Sequence, residues 1–154
     1  MTAINYIPEL ADGVCSVLNA ARDAGTFNIP FSGAQRTHEP EFRVEESERS
    51  GLVIAVMARE TDSTVTQRGL DTDEIGIDVG VWKHIENRNV ETIDPLMLFV
   101  RTLWKVLRTN IPMASGGYGS YLRRVCKPIY DPALLKQNSF LSVTTFTFHH
   151  NHAP

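Results

Sequence analysis

The sequence PIYDPALLKQNSFLSVTTFTF, residues 128–148, joins a proline-bounded turn to a strand-like run. Val, Thr and Phe dominate residues 140–148, and these residue types favour extended backbone. Phe140, Phe146 and Phe148 share one parity, whereas Leu141 and Val143 share the other. Because successive side chains of a strand point to opposite faces, this pattern predicts a strand covered on both faces. We therefore expect this part of the chain to lie inside a sheet.

Length and composition bound the organisation of the chain. Its 154 residues, of which 42% are hydrophobic, suffice for one core, so we expect a single domain over residues 1–154. The net charge is -3 and no run of Lys or Arg gives the basic stripe of a nucleic-acid binder. No apolar segment approaches the roughly 20 residues that cross a bilayer, and the first residues lack the charged region of a signal peptide. We expect a protein of the cytoplasm without a membrane partner, in which Cys15 and Cys126 stay reduced.

Two amphipathic helices are predicted. The first covers residues 8–24 and is ended by Gly25 in a left-handed conformation. Its apolar stripe is Leu10, Val14, Val17, Leu18 and Ala21. The second has Asp94 at the N-cap and Pro95 at the first helical position, and Pro112 prevents its continuation. Its apolar stripe is Leu96, Phe99, Val100, Leu103 and Leu107.

Several strands are predicted between these helices. Residues 28–46 are interrupted by prolines and indicate one or two edge strands followed by an acidic turn. Residues 52–58 form an apolar run typical of a central strand covered on both faces, which ends at residues 59–60. In residues 75–82 four aliphatic side chains alternate with Gly76, Asp78, Gly80 and Trp82. The two glycines indicate either a bend or bulge, or a close approach by another segment or subunit.

Two polar segments are predicted to be loops. Residues 61–73 contain Thr, Asp, Gln, Arg and Gly with little large apolar content, which is typical of a long binding loop or a mobile one. Residues 115–121 form a second, glycine-rich loop. The complete pattern predicts an α+β fold. We expect a mostly antiparallel sheet of four to six strands with both amphipathic helices packed on the face that bears Ile75, Ile77, Val79 and Val81.

Residues that could carry chemistry are few. Gly116, Gly117 and Gly119 lack the Lys and Ser or Thr of a phosphate-binding loop and precede a strand-like segment, which favours a turn. His149, His150 and His152 resemble an adventitious metal-binding tail more than a metal site. Cys15 with His38 or His84, oriented by Asp78, could form a nucleophile pair, although a packed thiol is the simpler reading. We therefore expect no enzymatic activity, no cofactor and no metal.

Four aromatic residues could either complete the core or anchor a partner. Trp82 shares a strand face with the glycines, and Trp104 lies beside the stripe of the second helix. Tyr118 and Tyr121, in the glycine-rich loop, favour an interface. A chain with polar loops and without a set of catalytic residues is most simply interpreted as a subunit that binds other protein subunits.

The order of these segments resembles a known group of proteins. An N-terminal helix with small residues (Ala11, Ala20 and Ala21) is followed by Phe31 and Arg36 in an extended segment, and then by strands at residues 52–58 and 73–81. The helix that begins Asp94-Pro95-Leu96, and the turn 128–132 before a Thr- and Phe-rich strand, continue the pattern. The chain thereby resembles the tail terminator, or tail completion, proteins of the neck of long-tailed bacteriophages and prophages. Residues 61–69 and the histidines after Phe148 have no counterpart in that pattern.

The resemblance implies a structural protein of the virion, assembled in the host cytoplasm. Such proteins form a ring, usually of six copies, that caps the tail tube, ends its polymerisation and joins it to the head connector. Genome DNA passes through the lumen without specific binding. A channel that lets DNA slide should not grip phosphates, which fits a mildly acidic subunit.

The predicted contact surfaces are the acidic turn and the two polar loops. The candidate interface residues are Glu45, Glu46, Arg49, Arg59, Thr66, Arg68, Asp71, Trp82, Tyr118 and Tyr121. Three alternatives remain open at this point. They are a head-completion adaptor on the portal side, a small enzyme that uses Cys15 and a histidine, and a metal-dependent binding module that uses the terminal histidines.

Overall fold

The computed structural model describes residues 6–38, 51–67 and 70–152, with the side chains of these residues except those of 60–67, 70, 71 and 152. Three helices are α1 (Tyr6–Asp23), α2 (Val90–Leu107) and the short α3 (Pro132–Leu135). The strands are β1 (Phe31–Arg36), β2 (Leu52–Gln67), β3 (Leu70–His84), β4 (Ile111–Pro112), β5 (Tyr118–Val125) and β6 (Ser139–His152). The fold is therefore α+β, as the sequence predicts.

The six strands form one curled, mixed sheet in the order β1-β2-β3-β6-β5-β4. The β1–β2 pair is parallel, whereas the other four neighbouring pairs are antiparallel. Helix α1 lies against both ends of this sheet. Asn19 accepts a hydrogen bond from the backbone N–H of Ala34 in β1 at 2.7 Å, and Gly13 lies directly against Pro112 of β4. The sheet therefore curls around α1.

One face of the sheet, called the inner face below, carries the core. Ile75 pairs with Phe148 and Ile77 with Phe146, and these four side chains are fully buried. The apolar stripe predicted for α2 is also buried, as are Leu10, Val14 and Leu18 of α1. Because one core cluster contains residues of both helices and of this sheet face, the predicted packing of the two helices on one face is confirmed.

The opposite, outer face is only partly covered. Val143 of β6 is 39% exposed, and Leu141 is half-buried. The outward side chains of β2 at Val53, Ala55 and Met57 are half-buried as well. The prediction that residues 52–58 and 140–148 are covered on both faces is therefore wrong, because the two long helices pack on the same, inner face.

The second helix begins earlier than predicted. Its N-cap is Asn89, whose Oδ1 accepts the backbone N–H of Thr92 at 3.0 Å, and Pro95 lies inside the helix. The prediction of an N-cap at Asp94 is wrong, because Asn89 satisfies the free N–H groups of the first turn. The backbone carbonyl of Pro95 accepts a hydrogen bond from Asn28 at 3.1 Å.

The predicted loop at residues 61–73 is instead part of a two-stranded extension. Strand β2 continues to Gln67 and pairs with β3, with Thr61 opposite Ile75 and Val65 opposite Asp71. Backbone hydrogen bonds between strands do not require apolar side chains, and Thr and Val favour extended backbone. The predicted strand end at residues 59–60 is wrong for the same reason. The register shifts between Ala58 and Glu60, opposite Gly76 and Ile77, so a bulge accounts for the glycine at 76.

The last third of the chain contains three further differences. The turn at residues 128–132 leads into the short helix α3, whose N-cap is Asp131, with hydrogen bonds from the N–H groups of Ala133 and Leu134. Strand β6 extends past Phe148 to His152 and pairs with β3 as far as Asp71. The terminal histidines are therefore strand residues and do not form a tail. Residues 118–121, predicted as loop, begin β5, because they pair with β4 and β6.

Candidate interaction surfaces

Charge is divided unevenly along the chain. Residues 1–95 contain 17 of the 18 acidic residues and 8 of the 15 basic ones. Residues 96–154 contain seven basic residues and a single acidic one, Asp131. The small net charge of -3 thus hides an acidic part and a basic part. Sequence reasoning missed this division because it looked for a continuous run of Lys or Arg, whereas counting charges in each half would have found it.

Four of the seven basic residues surround one tryptophan. Arg101 and Trp104 on α2 and Arg108 at its C-cap are spaced three and four residues apart, which places them on the same side of the helix. Lys105 is on the same exposed side. From β5, the guanidinium carbon of Arg124 lies 4.7 Å from the centre of the Trp104 ring. We call Arg101, Trp104, Lys105, Arg108 and Arg124 the Trp104 face.

The Trp104 face is held in place by the core beneath it. The Trp104 ring is half-buried, and its indole N–H donates a hydrogen bond to the Oγ1 of buried Thr144 on β6 at 2.9 Å. Arg124 also contacts the hydroxyl of Tyr121, with an N–O distance of 3.4 Å. The stacking on Trp104 and the contact with Tyr121 together hold the guanidinium of Arg124 in place. Among the described residues, no carboxylate forms an ion pair with its four cations.

Neighbouring Arg123 belongs to the other side of the sheet. It pairs in register with Thr147, whereas Arg124 pairs with Phe146 of the inner face. A nitrogen of Arg123 lies 3.3 Å from the carboxylate of Glu74 on β3. Both side chains are partly exposed, so this ion pair contributes little to stability. The two adjacent arginines therefore face different environments.

The acidic part of the chain includes the extension of β2 and β3. Residues 60–74, which we call the acidic ribbon, contain Glu60, Asp62, Asp71, Asp73 and Glu74 against the single basic residue Arg68. Strand β1 pairs with β2 only as far as Val56. Among the described strands, the distal part of β2 thus has β3 as its one partner, and its other edge is open. Charged residues along an open strand edge disfavour its pairing with exposed strands of other molecules.

The outer face carries a polar cluster within apolar surroundings. Asp78 is 15% exposed in its side chain, and Thr145 donates a hydrogen bond to it at 2.6 Å. Arg59 lies 3.8 Å from the same carboxylate and 3.3 Å from the Thr145 hydroxyl. Trp82 is half-buried on this face. Two of the predicted interface residues, Arg59 and Trp82, are therefore on the outer face of the sheet.

The two predicted interface tyrosines have different surroundings. Tyr118 is 60% exposed, and its backbone carbonyl is 3.2 Å from Nδ1 of the buried His150. Tyr121 is half-buried, with its ring 6.4 Å from that of Phe148. Tyr121 thus packs on the core, whereas Tyr118 projects from the end of β5. His150 also contacts the ring of Tyr6 at 4.4 Å, so it ties β6 to α1.

The structure does not describe the side chains of the other six predicted interface residues. Glu45, Glu46, Arg49 and Arg68 lie outside the described residues. Thr66 and Asp71 belong to β2 and β3, and their side chains are not among those described. The described side chains therefore place four of the ten residues: two on the outer face and two on β5.

Among the described residues, the side chains proposed for chemistry provide neither an activated thiol nor a cluster of metal ligands. Burial raises the pKa of Cys15 from 9.0 to about 11, and the nearby Asp12 carboxylate adds to this, while Arg36 opposes it. A thiol that stays protonated is the reverse of an activated nucleophile. His149 and His150 alternate across β6, and within the described residues no three metal-ligating side chains cluster. Within the same residues, no helix is long and apolar enough to span a membrane.

A groove of about 590 Å³ lies beside the turn at residues 128–132. Its wall also includes Arg88, Leu135 and Lys136. Arg88 donates a weak hydrogen bond to the backbone carbonyl of Lys136 at 3.5 Å. The groove is mainly apolar with two cations at its rim.

No protein-family model matches this chain, and no curated protein matches it.

Proposed function

We propose that this protein is a structural subunit of the neck of a long-tailed bacteriophage or prophage. It forms a ring that caps the tail tube, ends its polymerisation and joins it to the head connector. The observation that carries the proposal is the uneven division of charge on one small subunit, in which four cations form the Trp104 face while 17 of the 18 acidic residues precede residue 96. The resemblance in segment order supplies the type of assembly.

Two unlike surfaces are what a ring of identical subunits needs. In a ring, each copy contacts its neighbour head to tail, so one patch of the subunit meets a different patch of the next copy. A two-fold dimer instead requires a patch that complements itself. A patch of cations that has no carboxylate partner among the described residues does not complement itself, because like charges repel. The charge division thus supports a rotational, head-to-tail arrangement.

Passage of DNA through the ring also fits the charge. The chain is acidic overall at -3. If the Trp104 face is covered by a neighbouring copy, its four cations cannot grip phosphates in a lumen, which favours sliding of the DNA. The partly apolar outer face and the groove at the turn 128–132 are then available to the tube and the connector.

The mass of the purified protein in solution tests this proposal. We expect light scattering to give a ring of about six copies, alone or after addition of the tail-tube protein encoded in the same genome. Electron microscopy of the mixture should then show tubes of limited length with extra density at one end. A ring that binds portal-side proteins and ignores tubes would instead identify a head-completion adaptor. A monomer that ignores both would contradict the proposal.

One substitution distinguishes the proposed structural role from the alternative of an enzyme that uses Cys15. If Cys15 were a nucleophile, Cys15→Ser would abolish an activity while leaving assembly intact. The raised pKa of Cys15 predicts instead that this change alters stability and leaves ring formation unaffected. For the metal-binding alternative, truncation after Phe148 would remove binding of a stoichiometric metal. In this fold the same truncation removes paired residues of β6.

A further inference from the structure

We propose that the exposed side of α2 binds the same side of α2 in a second copy of this chain, with the two helices antiparallel across a two-fold axis. The contact goes beyond the proposed ring, since it joins two copies through one shared surface. Six exposed residues recur along this side of α2 at alternating spacings of three and four, and we call them the α2 stripe. They are Glu91, Asp94, Leu98, Arg101, Lys105 and Arg108.

The α2 stripe is polarised along its length. Its two acidic residues, Glu91 and Asp94, lie in the first part of the helix. Its three cations lie in the last part and at the C-cap, and they also belong to the Trp104 face. Leu98, which is 52% exposed, lies between the acids and the cations. The stripe therefore has two ends of opposite charge and an apolar side chain between them.

The charges of the stripe are not paired within the subunit. On a helix, a side chain can pair with those three and four positions away. After the two acidic residues, these positions hold Asp94, Pro95, Met97 and Leu98, so neither acid meets a cation along the helix. Among the described residues, no ion pair involves any of the five charged side chains of the stripe. All five charges are therefore available to a partner.

The helix dipole accounts for only part of this charge pattern. Glu91 lies in the first turn of α2 and Lys105 in the last, where their charges are favourable. Asp94 and Arg101 lie about one turn further inside the helix, beyond the reach of that effect. The dipole therefore does not explain why like charges continue inward from each end.

One antiparallel register satisfies both charged ends of the stripe. If two copies cross at the midpoint of the stripe, Asp94 of one copy faces Lys105 of the other, and Glu91 faces Arg108. Both pairs are centred on the same point of the helix, so a single register brings both together. Because the axis is two-fold, each pair occurs twice. In a parallel arrangement the acidic ends would instead meet each other and repel.

Helix geometry also suits this arrangement. Alternating spacings of three and four are those of side chains that interlock between two helices crossing at about 20°. Leu98 then packs on the aliphatic stem of Arg101 from the second copy. The stripe from Glu91 to Arg108 is roughly 25 Å long at the usual rise per residue. A single helix pair belongs to the small interfaces, below about 1,200 Å², so we expect a weak and reversible dimer.

A second copy fits the α2 stripe better than DNA or another polyanion does. The three cations of the stripe attract a polyanion, but Glu91 and Asp94 on the same side of the helix repel it. A second copy offers an opposite charge to both ends. The complementary charge is therefore supplied by the chain itself.

The dimer and the proposed ring cannot use the Trp104 face at the same time. The Trp104 face alone does not complement itself, whereas the longer α2 stripe does, because it adds Glu91, Asp94 and Leu98. A copy that is dimerised through α2 covers the cations that a ring neighbour would cover. Under the proposed function, the dimer is thus a form of the free protein that dissociates before a ring closes on a tube.

Exchanging the charges of one facing pair tests the contact. Asp94→Lys and Lys105→Glu each turn two attractive pairs of the dimer into two repulsive pairs. We expect each change to raise the Kd of the dimer, measured by analytical ultracentrifugation at low salt, by at least about tenfold. The combined variant Asp94→Lys/Lys105→Glu restores opposite charges at both pairs and should recover most of the lost affinity. Salt should weaken the wild-type dimer.

Matched controls separate this contact from a general effect of net charge. Glu86→Lys and Lys136→Glu make the same charge changes at exposed positions outside the stripe. Both should dimerise like the wild type. Circular dichroism checks that each variant is folded, and a mass that stops at two copies distinguishes a two-fold contact from a head-to-tail one.

Three results would overturn the contact. They are single variants that dimerise like the wild type, a folded combined variant that stays monomeric, and a wild-type protein that stays monomeric at every concentration. A monomer that binds a duplex oligonucleotide, more tightly with Asp94→Lys and more weakly with Lys105→Glu, would identify the stripe as a nucleic-acid surface instead.

The proposed function fails separately from this contact. A protein that dimerises through α2 and never caps tubes keeps the contact and loses the function. A protein that forms rings on tubes and never dimerises keeps the function and loses the contact.

Discussion

Arg124 and Trp104 connect a strand to a helix through a single stacked contact, with the guanidinium carbon 4.7 Å from the ring centre. The same ring donates its N–H to Thr144 at 2.9 Å. Helix α2 is thereby joined to β5 and β6 at once. A half-buried tryptophan with a satisfied N–H is a rigid platform for the cation above it.

We predict a measurable coupling between Arg124 and Trp104. Arg124→Ala should lower the free energy of unfolding by about 0.5–1 kcal/mol, the usual range of a cation–π contact. Trp104→Leu should lower it further, since Thr144 loses a hydrogen-bond donor in the core. Urea unfolding of both single variants and the double variant measures the coupling. Strictly additive effects would show that the stacking contributes nothing, and Arg101→Ala serves as the control because it lies on the exposed side of α2.

Two substitutions distinguish the observed N-cap of α2, Asn89, from the predicted N-cap, Asp94. Asn89→Ala should destabilise the protein by about 1 kcal/mol, because its Oδ1 accepts both the backbone N–H and the hydroxyl of Thr92. Asp94→Ala should change stability by less than about 0.5 kcal/mol, because Asp94 is an exposed residue within the helix. Thermal unfolding of the two variants decides between the positions. A larger loss for Asp94→Ala would contradict the helix start at Val90.

Burial explains which parts of the fold could be predicted. The stripes of α1 and α2 and the alternation at residues 75–81 follow the periods of helix and strand, and each marks the side that meets the core. Backbone pairing explains what was missed. The ribbon at residues 61–67 is held by a ladder of main-chain hydrogen bonds that leaves no apolar pattern in the sequence. Asn89 was missed because Pro95 and Asp94 together mimic a helix start.

The candidate surfaces were harder to predict than the fold. Arg124 and Trp104 are 20 residues apart on different elements, so only the pairing of β5 with β6 and the packing of α2 bring them together. Trp104 was placed beside the apolar stripe, but nothing in one sequence shows which cation stacks on it. Arg59 and Tyr118 are exposed, as residues of an interface with another subunit must be.

Gly13 offers a test of how closely α1 seats against the sheet edge. In an exposed helix interior, Gly→Ala stabilises by about 1 kcal/mol. At Gly13 an added Cβ would lie 2.8 Å from Cγ2 of Ile111 and closer still to the carbonyl oxygen of Pro112. We therefore expect Gly13→Ala to destabilise by about 1–3 kcal/mol, whereas Ser16→Ala on the exposed side of α1 should be nearly neutral. A stabilised Gly13→Ala would show that β4 does not pack on α1 as described.

Because the thiol of Cys15 is buried, we expect the folded protein to lose stability at alkaline pH. Because burial raises its pKa from 9.0 to about 11, the thiol ionises more readily in the unfolded chain than in the folded one. Its contribution to stability is therefore complete below about pH 9 and is lost as the pH rises toward 11. The difference in Tm between the wild type and Cys15→Ala should be constant below that window and fall within it. A thiol reagent should label the half-buried Cys126 well before Cys15. A Tm difference that stays constant up to pH 11, together with rapid labelling of both cysteines, would show that α1 does not bury Cys15.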